Sequence, residues 1–171
     1  MALFWYNTAV WPISLESSSC RMVLNQDGSV QVQTGETEIG QGCDTAFSQM
    51  AADAIGIPFA DVHMVSTQDT DVTPFGTGAY ASRQTYTGGF SIQQTGQMLK
   101  ERILTYAVEL TRQARENLDL ADGKIIRTTD GRELMTLGEL ATEALYSLSH
   151  SQHITAESTY QIKNNAYSFG C

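Results

Sequence analysis

Apolar residues in this chain recur at two periods, and the order in which those periods alternate restricts the fold more than any other feature. Met22 and Leu24, then Val30 and Val32, occupy alternate positions in the short runs Arg21 to Leu24 and Ser29 to Gln33, which are joined through Asn25-Gln26-Asp27-Gly28. That pattern predicts a β-hairpin. Phe47, Met50, Ala51, Ala54 and Ile55 follow at helical spacing, and Gly56 with Pro58 closes the run, so a helix is expected over Asp44 to Ile55. Val62 to Ser66 alternates as a strand. From Thr67 to Gly88 the periodicity is lost in a Gly- and hydroxyl-rich stretch, and long loops inside a domain are usually functional. Ile92, Gly96, Leu99, Ile103, Tyr106, Leu110 and Ala114 share one face of a longer helix expected to end near Asn117. Lys124 to Ile126 and Arg132 to Leu134 read as a hairpin across Thr129-Asp130-Gly131. A third helix carries Leu137, Leu140, Ala141, Ala144, Leu145 and Leu148 behind a Thr136/Glu139 capping box, and a late strand lies around Tyr160 to Lys163. The order β-β-α-β-loop-α-β-β-α-β lacks regular βαβ alternation. It predicts an α+β class, with mixed sheet hairpins and about three helices in a single domain over residues 1–171.

A chain of 171 residues with 42% hydrophobic side chains can bury about two thirds of its unfolded surface without a disulfide or metal staple. Ten basic against nineteen acidic side chains give a net charge of −9, which argues against a nucleic-acid partner and against an anionic membrane surface. Cys20, Cys43 and Cys171 are widely spaced and form no C-x-x-C pair, so a reducing, cytoplasmic compartment is expected. Met1 to Ile13 is apolar and aromatic, but it lacks a basic n-region and carries Asn7 and Pro12, so it reads as neither signal peptide nor spanning helix. It looks like part of a strand, and the chain stops at Phe169-Gly170-Cys171 without a polar tail, as in a piece of a longer protein.

Two segments concentrate chemistry. Gly40-Gln41-Gly42, followed by Cys43-Asp44-Thr45, stands at a helix start, where close backbone approach and unpaired N–H groups suit a phosphate or another oxygen-rich group. The alternative is a tight turn with Asp44 or Thr45 as N-cap. In the long loop, Ala81, Ser82, Arg83, Gln84 and Thr85 offer hydroxyls, a guanidinium fork and an amide, a set that suits a pyrophosphate. The alternative is a polar loop whose Arg83 pairs with Asp69 or Asp71. Gly76-Thr77-Gly78-Ala79-Tyr80-Ala81 matches G-x-G-x-x-A, yet it neither follows a strand at once nor opens a helix, which argues against a Rossmann fingerprint. His63, His150 and His153 lack zinc-ligand spacing, and the latter two suit exposed capping roles. There is no G-x-S-x-G elbow. Cys43 reads as a small buried packing residue rather than a reactive thiol.

Thr37-Glu38-Ile39-Gly40-Gln41-Gly42-x-x-Thr45, Ala54-Ile55-Gly56-Ile57-Pro58, Asp69-Thr70-Asp71 and Ala81-Ser82-Arg83-Gln84-Thr85, in that order, closely resemble the molybdenum-binding subunit of the xanthine dehydrogenase and aldehyde oxidase family. Asn25 to Val30 and Tyr167 to Gly170 also look like this family. The resemblance implies a molybdopterin cofactor, in bacterial members usually the cytosine dinucleotide, contacted by Gly40, Gln41, Gly42, Thr45 and the Ala81 to Thr85 segment, with Gln41 near molybdenum and no direct metal ligand. It implies hydroxylation of a purine, a related N-heterocycle or an aldehyde, with water as oxygen donor and electrons leaving through iron–sulfur clusters, and possession of FAD in some parents. The family's essential glutamate stands in a G-x-G-E-type turn, and no such turn occurs here. The segment is therefore expected to be inactive alone, and to work against the remaining molybdopterin-binding domain and an iron–sulfur domain or subunit. The rival reading is a non-catalytic α+β nucleotide-binding or interaction module.

Overall fold

A computed structural model describes residues 1–14, 16–66, 69–149 and 151–171. His150, Thr67 and Gln68 lie outside the described residues, so the capping role expected of His150 and the start of the long loop have no structural counterpart there. The expected first hairpin is β2 (Ser17–Leu24) and β3 (Val30–Thr34), paired antiparallel with Met22 opposite Val32. β4 (Val62–Met64) adds in parallel to β3, and β8 (Thr155–Gln161) adds antiparallel to β2, giving the order β4-β3-β2-β8. Alternation puts Cys20, Met22, Leu24, Val30, Val32 and Ala156 into one continuous core. Helices α1 (Cys43–Ile55) and α2 (Gly89–Thr111) fill that core with Phe47, Ala51, Ile55, Ile92, Leu99 and Ile103. α2 packs on α1, β2 and β8. Gly96 allows the helices to meet, since a Cβ there would lie 2.8 Å from the Ala54 Cβ.

A three-stranded sheet, β5 (Leu118–Ala121), β6 (Lys124–Arg127) and β7 (Glu133–Thr136), leads into α3 (Leu137–Tyr146). The capping box is formed as expected: the Thr136 hydroxyl accepts from the Glu139 N–H, and the Glu139 carboxylate accepts from the Thr136 N–H. α2 stops at Arg112 in the left-handed region, earlier than Asn117, and β5 occupies the stretch beyond it. The late strand begins at Thr155 and ends at Gln161, not around Tyr160 to Lys163. β1 (Phe4–Thr8) and β9 (Ala166–Gly170) pair antiparallel as a separate two-stranded ribbon, with Phe4, Trp5, Tyr6, Tyr167 and Phe169 exposed. The architecture is α+β. No helix among the described residues is long and apolar enough to cross a membrane.

Candidate functional site

Beyond β3 the chain crosses the long loop at Gly35 and Gly76, where a Cβ on Gly35 would lie 2.3 Å from both the Gly76 nitrogen and the Pro74 carbonyl oxygen. Backbone can run that close to backbone only without side chains. Gly76 thus serves this crossing, and the G-x-G-x-x-A match lies outside any strand-to-helix turn, as its context predicted. The chain then passes buried Glu36 and reaches Gly40 and Gly42, both in the left-handed region, with Gly42 as the N-cap of α1. Neither Asp44 nor Thr45 caps the helix by its side chain.

Glu38 occupies the backbone donors of this turn. Its carboxylate accepts from the N–H groups of Gly40 at 2.7 Å, Gly42 at 3.1 Å and Asp44 at 3.1 Å. These bonds, with that of Asp44 foremost, hold its carboxyl down to about 2. An internal anion thus sits where the sequence suggested a phosphate, which corrects that reading of the helix start. Burial and the neighbouring Glu38 charge push the Cys43 thiol up to about 12, so it is an inert packing residue. Glu38, Cys43 and Asp44 bring potential ligand atoms within 4.8 Å of one another. With three N–H groups on the carboxylate and a protonated thiol, that set is poorly disposed to bind a cation.

The second segment arrives from the opposite side. Ala9 donates to the Ala81 carbonyl at 2.7 Å, and Ala81 and Ser82 hold φ of 46° and 53°, values rare for residues with a side chain. A π-helical turn, Gln84–Gly88, then runs directly into α2. The two segments meet around a cavity of about 390 Å³ lined by Gln41, Gly42, Cys43, Tyr80, Ala81, Ser82, Arg83, Gln84 and Thr85, among others. Gly40 and Thr45 are exposed neighbours of this cavity and do not line it. Gln41 and Gln84 join across it: the Gln41 amide donates to the Thr37 carbonyl at 2.9 Å and to the Gln84 side-chain oxygen, and Gln84 donates to the same carbonyl at 2.9 Å. The Gln41 side-chain oxygen accepts from the Ile39 N–H at 2.7 Å. Ser82 and Thr85 are exposed and also line an adjoining, more apolar cavity of about 480 Å³ beside Met50, Tyr86 and Phe90.

Arg83 does not have the place expected of it. Its side chain is 0% exposed. Nε donates to Glu16 at 2.6 Å, Nη1 to both Glu36 oxygens at 3.0 and 3.1 Å and to the Gly78 carbonyl at 2.9 Å, and Nη2 to the Ser17 carbonyl at 2.7 Å. The guanidinium fork is committed to the protein interior and is not presented to a pyrophosphate, and its carboxylate partners are neither Asp69 nor Asp71. Burial raises the Glu36 pKa against the pull of Arg83, Ser18 and Gln84. Sequence reasoning missed Glu16 and Glu36, which are 67 and 47 residues from Arg83. It also missed the role of Glu38, for which an acid two residues before a glycine turn at a helix start was an available signal.

A cavity walled by a glycine turn at a helix start and by a hydroxyl-rich loop, on an α+β frame, has the size and mixed polar lining of a small-molecule site. Residues 1–171 match the family model of the molybdopterin cofactor-binding domain, and the chain belongs to that family. It is 43% identical over its full length to the xanthine dehydrogenase molybdenum-binding subunit of Escherichia coli O157:H7, of which it covers 23%. Quinoline 2-oxidoreductase from Pseudomonas putida 86 has the same fold, with a TM-score of 0.81 at 26% identity over 98% of this chain and 23% of that one. CO dehydrogenase from Oligotropha carboxidovorans shares the fold at 23% identity, with a TM-score of 0.83 over 98% of this chain and 22% of that one. The chain therefore spans about a quarter of the length of each of these three relatives.

Proposed function

We propose that this chain is the cofactor-contacting part of a larger molybdenum hydroxylase subunit. The observation that carries the reading is the meeting of the two glycine-rich segments around one cavity of about 390 Å³, within the range of small-molecule sites. The residues present suit such a group. Gly40 and Gly42 have positive φ with nothing within 4 Å of a notional Cβ, which leaves open space on the ligand side of the turn. The Ser82 and Thr85 side chains are exposed hydroxyls at the cavity wall, able to donate to and accept from phosphate or pterin heteroatoms. With the α1 start taken by Glu38, these hydroxyls are the better placed phosphate contacts, and the Arg83 side chain is buried away from them.

In this reading Gly40, Gln41, Gly42, Thr45, Ala81, Ser82, Gln84 and Thr85 contact a molybdopterin, in the cytosine dinucleotide form, with Gln41 toward the metal end. The cofactor supplies the two-electron oxidation of an electron-poor carbon, in a purine, a related N-heterocycle or an aldehyde, with water as oxygen donor. The chain binds and orients. The Gln41 amide is fixed by Thr37, Ile39 and Gln84, so its oxygen keeps a defined direction while one lone pair remains for a ligand donor. The base, iron–sulfur clusters and any FAD belong to other parts of the parent, which works in the cytoplasm.

The test is molybdenum and pterin content of the full-length parent. Stoichiometric cofactor is expected, reduced several-fold by the double substitution Ser82→Ala with Thr85→Ala, and a cofactor-free parent from a molybdenum-replete host overturns the reading. Gln41→Ala in the parent is expected to cost about 1 to 3 kcal/mol in transition-state stabilisation with little loss of folding stability. Wild-type turnover at full molybdenum content would remove Gln41 from the site.

A further inference from the structure

The Glu16, Arg83 and Glu36 side chains are fully buried, and the cluster they form lies directly behind the loop that lines both cavities. We infer that this buried cluster is the positioning node of the cofactor loop, setting Ser82, Gln84 and Thr85 before any ligand arrives; the inference rests on the reading above. Ala81 and Ser82 both sit in the left-handed region, and the π-helical turn Gln84–Gly88 starts one residue after Arg83. Conformations this uncommon persist only where the surroundings over-determine them, and π-turns of this kind concentrate at functional sites.

Arg83 supplies that determination. One guanidinium joins Glu16 and Ser17 ahead of and within β2, Glu36 beyond β3, and the Gly78 carbonyl of its own loop. Glu16 in turn accepts from the Val10 N–H at 3.0 Å, and the neighbouring Ala9 N–H holds the Ala81 carbonyl. Glu36 lies against Gln84, which bonds Gln41, so the node extends by contact to the amide pair at the cavity. Two carboxylates on one guanidinium make a costly arrangement for stability alone, since a buried ion cluster is weak evidence of net stabilisation. It gives direction, because only a planar fork reaches all these acceptors at once.

The experiment uses the full-length parent carrying Glu36→Gln or Arg83→Lys, with Ile125→Ala in β6 as a control whose stability loss arises away from both cavities. An amide at position 36 turns a donor toward Arg83, and a lysine reaches only part of the set. At equal melting loss, both variants are expected to release molybdenum on dialysis at least about tenfold faster than the control. Release no faster than the control overturns the inference while leaving the cofactor reading intact. Should either variant fail to fold, hydrogen exchange of the cofactor-stripped wild-type parent decides: the Arg83 and Thr87 amides, bonded to Tyr80 and Arg83 carbonyls, are expected to be protected without cofactor. Fast exchange there overturns the node as a preset device, and a wild-type parent that never carries molybdenum overturns the cofactor reading instead.

Discussion

Glu38 is partly exposed, and three backbone N–H groups hold its carboxyl at about 2, below the ordinary 4.5. A folded-state value below the unfolded one means that its contribution is complete above the unfolded value and is lost as pH falls through the folded one. The turn should therefore weaken between about 4.5 and about 2. Glu38→Gln should flatten the acid limb of stability in that window, measured by urea denaturation at stepped pH, and an unchanged acid limb would refute the assignment. Arg83 presents the opposite case, a cation with no exposure. Arg83→Ala leaves Glu16 and Glu36 buried without their partner, and a loss of about 3 to 5 kcal/mol is expected. A change below about 0.5 kcal/mol, as for a surface arginine, would contradict the buried geometry.

At the scale of elements, the sequence was most legible where the determinants are local. α1 closes at Gly56 in the left-handed region, and α3 opens with the Thr136/Glu139 box, both from residues within one helical turn. Thr136→Ala should cost about 1 kcal/mol, read from a thermal or urea transition, since it removes the acceptor for the Glu139 N–H. β5 was hidden because Leu118 and Leu120 continue an apolar sequence after α2, and only the left-handed Arg112 and the pairing with β6 separate strand from helix. β9 was hidden for another reason: its partner β1 lies at the far end of the chain. The site divides in the same way. Its two glycine-rich segments could be found from composition and spacing, whereas the partners of Arg83 could not, because Glu16 and Glu36 reach it only after β2, β3 and the loop are assembled. A polar cluster in a loop reads as ligand-facing when its partners are distant in sequence, and here the guanidinium turned inward while the flanking hydroxyls faced out.

The whole molecule leaves both its cavity wall and its terminal ribbon uncovered. Gln41, Gly42, Ser82 and Thr85 at the cavity wall are exposed, and the β1–β9 ribbon carries Trp5 at 65%, Phe4 at 64% and Phe169 at 79% exposure. Exposed aromatic surface on this scale is typical of faces that a larger assembly covers, and a two-stranded ribbon has little stability of its own. Small-molecule sites bind tightly when they enclose about 70 to 90% of the ligand, and a wall on one side forgoes the rest of that burial. We expect the 171-residue chain alone, dialysed after purification from a molybdenum-replete host, to retain no stoichiometric molybdenum and to hydroxylate no heterocycle or aldehyde. Its sheet β4-β3-β2-β8 should nonetheless keep slow hydrogen exchange, with β1 and β9 exchanging first, because the core around Phe47, Met22 and Ile103 needs nothing from outside the chain. Metal analysis and exchange on the same sample separate the two claims. Stoichiometric molybdenum would show that this chain encloses its cofactor unaided, and exchange as fast in β2 and β3 as in the ribbon would show that the fold itself depends on the missing surface.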